Sequence, residues 1–200
     1  KKYLKKEVGE EVLAILENIE KMSEVKKNIS KQVNESENLK KVLLVASKDI
    51  RALIIKICDK VANLKDLHFL NQAEKKRIAK EALNVYAPLA YRLGMGKIKS
   101  EIEDLAFKNL DEKTYNAVKF KIENIRKQGE IFLYKFEDFL KKELKKYEIE
   151  GIVQSRIKHI YSIHKKILEK SYNLENLRDI IGLRVIVKNI DDCYNVLRII

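Results

Sequence analysis

The sequence predicts a mainly α-helical protein that passes into a mixed α/β segment near residue 147. Two patterns carry this. From about residue 8 to 140, apolar residues recur at spacings of three and four, the period of a helix with one buried face. After residue 147 the order becomes strand, helix, strand, helix, and "GLRVIVKN" is a β-branched run bounded by Gly182 and Asn189.

Taken in order, Val8, Val12, Ile15, Leu16 and Ile19 mark the first helix, and the polar "KKNISKQVNESEN" reads as a loop. "NLKKVLLVASKDIRALIIKICDKVANLKDL" holds one or two helices. Its isoleucine-rich part is long, with Leu53, Ile54, Ile57, Val61 and Leu64 at helical spacing, which favours a buried helix over a strand. "AEKKRIAKEALNVYAPLAYRLG" is a helix that Pro88 kinks or breaks and Gly94 ends. "IKSEIEDLAFKNL" is a short amphipathic helix. Residues 111–147 form one long charged helix or two in succession, with Gly129 as the weak point. "YEIEGIVQSR" alternates like a strand, residues 156–166 read as a helix with Ser155 as N-cap, and "LENLRDI" is a turn. "DDCYNVLRII" starts a helix with acids at its positive end.

The chain has 200 residues, 46% hydrophobic and 36% charged, which excludes a disordered chain. Its 42 Lys and Arg against 30 Asp and Glu leave a net charge of +12 and favour polyanionic partners: nucleotides, RNA or an anionic surface. No apolar run is long enough to cross a bilayer. Cys58 and Cys193 each lie in an apolar run, as buried thiols rather than a disulfide, and point to a reducing cytoplasm. Both ends of the sequence stop inside helical patterns, as in a fragment of a longer protein.

The stretch "RIKHIYSIHKK" carries the chemistry. Read as one helix, it collects Ile157, Ile160, Tyr161, Ile163, His164 and Ile167 on one arc and Lys158, Ser162, Lys165 and Lys166 on the other. Such a cationic front either faces water or holds an anion. Lys158, Ser162 and Lys166 form a stripe along which phosphates fit, Arg156 pairs with a phosphate or stacks on a base, and Asp179 sits where a carboxylate holds Mg²⁺. The alternative is a solvated basic face followed by an aspartate that caps a turn.

Three blocks, "SKDIRALIIKICDKVANLKDL", "YAPLAYRLGMGKIKSEIEDLAFKNL" and "RIKHIYSIHKK" with "LRDIIGLRVIV", resemble, in order, segments of the RelA/SpoT homologue family of (p)ppGpp synthetase/hydrolases. The resemblance implies an all-helical HD-hydrolase-like region over residues 1–110, connecting helices over 111–146, and the start of an α+β nucleotidyltransferase-like synthetase domain over 147–200. It implies pyrophosphate transfer from ATP to the 3′-hydroxyl of GDP or GTP. Arg156 would stack on adenine, Lys158, Ser162 and Lys166 would hold the ATP phosphates, Asp179 would bind Mg²⁺, and Lys166 and Asp179 would be catalytic. A glutamate near the attacking hydroxyl and a guanine-stacking tyrosine would fall beyond residue 200, which leaves half a site.

For the helical region the resemblance implies Mn²⁺-dependent hydrolysis, with Asp59 a metal ligand and Asn63 a substrate residue. Ala62 and Asp66 depart from the family's histidine and threonine, and His68, His159 and His164 do not supply the missing ligands. A truncated or decayed hydrolase is expected, with Asp59 paired to Lys56, Lys60 or Arg51. A non-catalytic alarmone-binding regulator and a bifunctional enzyme with upstream ligands remain open, and a basic RNA-binding protein ranks last. The run "KKELKK" reads as a solvated helix end or a contact to ribosomal RNA; the ribosome would be reached through C-terminal domains. Tyr86, Tyr91 and Phe107 are expected in the core, and Arg92 and Lys99 on the surface.

Overall fold

A computed structural model describes residues 2–27, 49–170 and 180–200. The chain divides into two compact units, residues 1–112 and 113–200.

The first unit is helical throughout its described residues. Helix α1 (Lys2–Lys27) kinks at Gly9, where φ is 80°. It buries Met22 and packs Ile15 and Ile19 on the core, while Val8, Val12 and Leu16 stay exposed. Helix α2 (Ile50–Lys65) is capped by Asp49, whose carboxylate accepts from the Arg51 N–H at 2.9 Å. Hydrogen bonds from Arg51 hold the Asp49 carboxyl below its ordinary range. Leu53, Ile57, Val61 and Leu64 form the buried stripe of α2; Ile54 is exposed. Helix α3 (Gln72–Glu81) is capped by Asn71 and runs through a π-helical turn, Ala82–Tyr86, into α4 (Ala87–Arg92). The widened turn lies just before Pro88, whose nitrogen carries no hydrogen to donate. Gly94, at φ 73°, ends α4, as its freedom at positive φ allows, and the Met95 N–H returns to the Ala90 carbonyl at 2.9 Å. Helix α5 (Gly96–Leu110) contributes Ile102, Ala106 and Phe107. Two expectations fail here. Tyr91 is 68% exposed, not core, and has Lys99 over its ring at 5.6 Å. Cys58 is exposed, because it lies off the Leu53–Ile57–Val61 stripe.

In the second unit, α6 (Glu112–Lys146) is one uninterrupted helix that passes through Gly129. Strand β1 (Gly151–Ile157) pairs antiparallel with β2 (Ile181–Val187), with Arg156 opposite Gly182 and Gln154 opposite Arg184. Helix α7 (Ile160–Lys170) lies between them in sequence, and α8 (Ile190–Ile199) follows, capped by Asn189. One sheet face packs Val153, Leu183, Val185 and Val187 with Leu140 and Leu144 of α6 and Val196 of α8. Ile160, Ile163 and Ile167 pack with Val118 and Ile122 of α6 and with Ile180. Cys193 is exposed, against expectation; α8 turns Val196 inward instead.

The helix predicted over 156–166 begins only at Ile160. Ser155 and Arg156 belong to β1, so Ser155 is not an N-cap. The β ladder claims them: Ser155 and Arg156 pair with Leu183 and Gly182, and the Lys158 N–H donates to the Ile180 carbonyl at 2.9 Å.

Candidate functional site: a basic strand-to-helix edge

The predicted phosphate-binding residues fall on three consecutive pieces of backbone. Arg156 ends the exposed row of β1, Lys158 lies in the short link, and Ser162 and Lys166 follow on α7. The link is anchored on both sides. Lys158 is tied to Ile180, and the Ile163 N–H donates to the His159 carbonyl at 3.2 Å. Ser162 and Lys166 are four residues apart, on one helix face and about 6 Å apart along the axis. The back of α7 is apolar, with Ile163 2% exposed, and this fixes which side the polar residues present. Lys165 belongs elsewhere: its Nζ is 3.6 Å from Glu169. Asp179 lies outside the described residues; Ile180, the next residue in sequence, is the one that accepts from Lys158.

The register adds residues the sequence reading missed. Side chains alternate across a strand, and directly opposed residues share a face. Ile152, Gln154 and Arg156 therefore share a face with Ile186, Arg184 and Gly182, and all six are exposed. Arg184 is the diagonal neighbour of Arg156, roughly 7 to 8 Å away. The signal was present in "GLRVIV": once Leu183, Val185 and Val187 are assigned inward, Arg184 must face out with Gly182. A separate cavity of about 730 Å³, lined by Leu144, Ile149, Ile152 and Ile186 among others, holds none of the predicted site residues.

In the first unit Asp59 and Asn63 occupy exposed positions four apart on α2. Asp59 pairs with Lys56 at 3.7 Å, one of the expected partners. Lys60 turns inward to Glu81 at 3.6 Å, beneath the Tyr86 ring at 4.8 Å. Burial and the charges of Glu81 and Asp59 push the Tyr86 hydroxyl well above its ordinary value. Among the described residues no three His, Cys, Asp or Glu side chains group as a metal site. Asp59 alone does not fit a Mn²⁺ centre. Lys141, Lys142 and Lys146 pair with Glu137, Asp138 and Glu143, the behaviour of a solvated helix end.

Two family models match this chain: HD domain over residues 1–96, and the region found in RelA / SpoT proteins over residues 155–200. The second covers the basic edge and β2. Over nearly all of its length the chain is similar to proteins of the RelA/SpoT family. Relatives include a guanosine-3′,5′-bis(diphosphate) 3′-pyrophosphohydrolase of Aquifex aeolicus, 38% identical over 98% of this chain, and one of Haemophilus influenzae, 36% identical over 97%. A GTP pyrophosphokinase of Myxococcus xanthus is 31% identical over 96% of the chain. The chain spans 28% of the length of the first two and 26% of the third. Relatives named for synthesis and for hydrolysis thus both match across nearly all of it. Among the described residues no helix is long and apolar enough to cross a membrane.

Proposed function

We propose that this chain carries the ATP-binding half of an alarmone synthetase, which moves pyrophosphate from ATP to the 3′-hydroxyl of GDP or GTP. On this reading residues 147–200 begin the synthetase domain, 111–146 connect, and 1–110 are the hydrolase-like region. The observation that carries it is the anchored run from Arg156 through Lys158 to Ser162 and Lys166, basic on one side and apolar on the other.

In this transfer the acceptor oxygen attacks the β-phosphorus of ATP, the bond from that phosphorus to the α–β bridging oxygen breaks, and AMP leaves. Negative charge builds on phosphate oxygens and on the leaving group. Lys158 and Lys166 supply counter-charge, Ser162 donates a hydrogen bond, and the positive end of the α7 dipole adds to them. Arg156 and Arg184 offer guanidinium planes to the adenine. Asp179 is assigned the Mg²⁺ that accompanies the triphosphate. The substrates ATP and GDP or GTP belong to a cytoplasmic enzyme.

For the first unit the reading is a truncated or decayed hydrolase region that binds alarmone, with Asn63 at the substrate, without turning it over; among the described residues no three His, Cys, Asp or Glu side chains group around a metal. A bifunctional enzyme needs further Mn²⁺ ligands from elsewhere in the protein. The test is transfer of labelled pyrophosphate from ATP to GDP by the full-length protein. Asp179→Ala should abolish it; undiminished transfer would overturn the reading. Mn²⁺-dependent hydrolysis of ppGpp by the same protein would overturn the non-catalytic reading of the first unit.

A further inference from the structure

Gly182 lies opposite Arg156 on the uncovered face of the sheet, and Arg184 follows two residues on along the same row. Among the described residues, a Cβ built at Gly182 meets no atom within 4 Å. The fold therefore does not need a glycine here for packing. Nor does its backbone, since Gly182 is not among the glycines with positive φ. A strand interior prefers a branched side chain, and glycine there costs conformational entropy. The residue is locally unfavourable, and no described residue fills the space above it.

The backbones of Arg156 and Arg184 are diagonal neighbours, roughly 7 to 8 Å apart, close to the ~7 Å that two van der Waals contacts of about 3.5 Å span on either side of a flat ring. We infer that Gly182 is the size gate of the base-binding floor: its missing side chain lets a purine lie against the sheet backbone between the two guanidinium groups. This rests on the proposed binding of ATP at the basic edge. It adds a specificity determinant that touches the base and leaves the phosphates alone.

The experiment compares binding of ATP and of inorganic tripolyphosphate, both with Mg²⁺, to the 200-residue chain and to its Gly182→Ala and Gly182→Val variants. Calorimetry reads affinity, and circular dichroism with thermal melting reads the fold. The parent should bind ATP more tightly than tripolyphosphate. Gly182→Val should lose about tenfold in ATP affinity, the scale of one base-stacking contact, and Gly182→Ala less. Tripolyphosphate affinity should not move, and both variants should melt at or above the parent. Equal ATP affinity in parent and Gly182→Val overturns the inference while leaving the proposed function standing. So does an equal loss for both ligands. A parent that binds neither ligand overturns both. Should Gly182→Val fail to fold, Gly182→Ala decides by the same comparison.

Discussion

Lys60 and Glu81 meet at 3.6 Å in a place where Lys60 keeps only 7% of its surface. The pair joins α2 to the end of α3, with the Tyr86 ring over the ammonium group and Arg77 at 3.9 Å on the far side of the carboxylate. Removing Lys60 takes the nearer cation from the part-buried Glu81 carboxylate and leaves it the more distant Arg77. Lys60→Ala should therefore lower unfolding free energy by about 1 to 2 kcal/mol in urea titrations. The double change Lys60→Met with Glu81→Leu should recover most of that, since a matched apolar pair leaves no orphan charge. A single-variant loss below about 1 kcal/mol would mean that water reaches the site.

The same contact predicts an alkaline limit. The Tyr86 hydroxyl is raised above its ordinary value, first by burial and then by the carboxylates of Glu81 and Asp59. Below about pH 10 both folded and unfolded chains keep this proton, and it does not affect the balance. Above that the unfolded chain loses it first, so the folded state holds more protons and stability falls as pH rises. Tyr86→Phe should remove this part of the fall, with a slope shallower by up to about 1.4 kcal/mol per pH unit. Denaturation of the two proteins from pH 9 to 11.5 checks it. Parallel curves would show that Tyr86 ionises as freely when folded as when unfolded.

Periodicity was legible wherever one face is buried. Leu53, Ile57, Val61 and Leu64 are the stripe of α2, and the β-branched run became β2. The start of α7 was not. Residues 156–166 fit a helical wheel well, but Ser155 and Arg156 are taken by pairing with Leu183 and Gly182, a contact more than 25 residues away in sequence. A helical wheel cannot report a non-local ladder. The same blindness hid Arg184, whose relation to Arg156 exists only once the register is known. Cys58 and Cys193 sit in apolar runs yet face out, because a run of apolar letters does not say which face of the helix each occupies. Of the helical stripe read through Lys158, Ser162 and Lys166, only Ser162 and Lys166 share the helix; Lys158 lies in the link before it.

Gly129 sits in the middle of the 35-residue helix α6, where glycine is a weak point in propensity. A Cβ placed there would lie 3.6 Å from Ile181 Cδ1, an ordinary contact. Gly129→Ala should therefore stabilise the protein by about 0.5 to 1 kcal/mol, through a less flexible unfolded chain and a small gain in packing. Thermal and urea midpoints should both rise. A drop in either would mean that α6 cannot accept even a methyl group against β2.

Arg156 and Arg184 share a face and a diagonal, and each supplies a plane as well as a charge. If they hold a base between them, their effects should be coupled. Arg156→Ala and Arg184→Ala should each weaken ATP binding about fivefold to thirtyfold, the worth of roughly 1 to 2 kcal/mol of cation–π and stacking contact. The double variant should lose less than the two losses combined, because the second plane has little left to stack against. Arg156→Lys keeps the charge and loses the plane, so it should behave like alanine toward ATP and like the parent toward tripolyphosphate. Phosphate pairing by Arg156 gives the opposite pattern: lysine would rescue both ligands, and the losses at 156 and 184 would add. Calorimetric titrations of the parent and the four variants with the two ligands separate these outcomes, and additive losses with full rescue by lysine would remove the base from this face of the sheet.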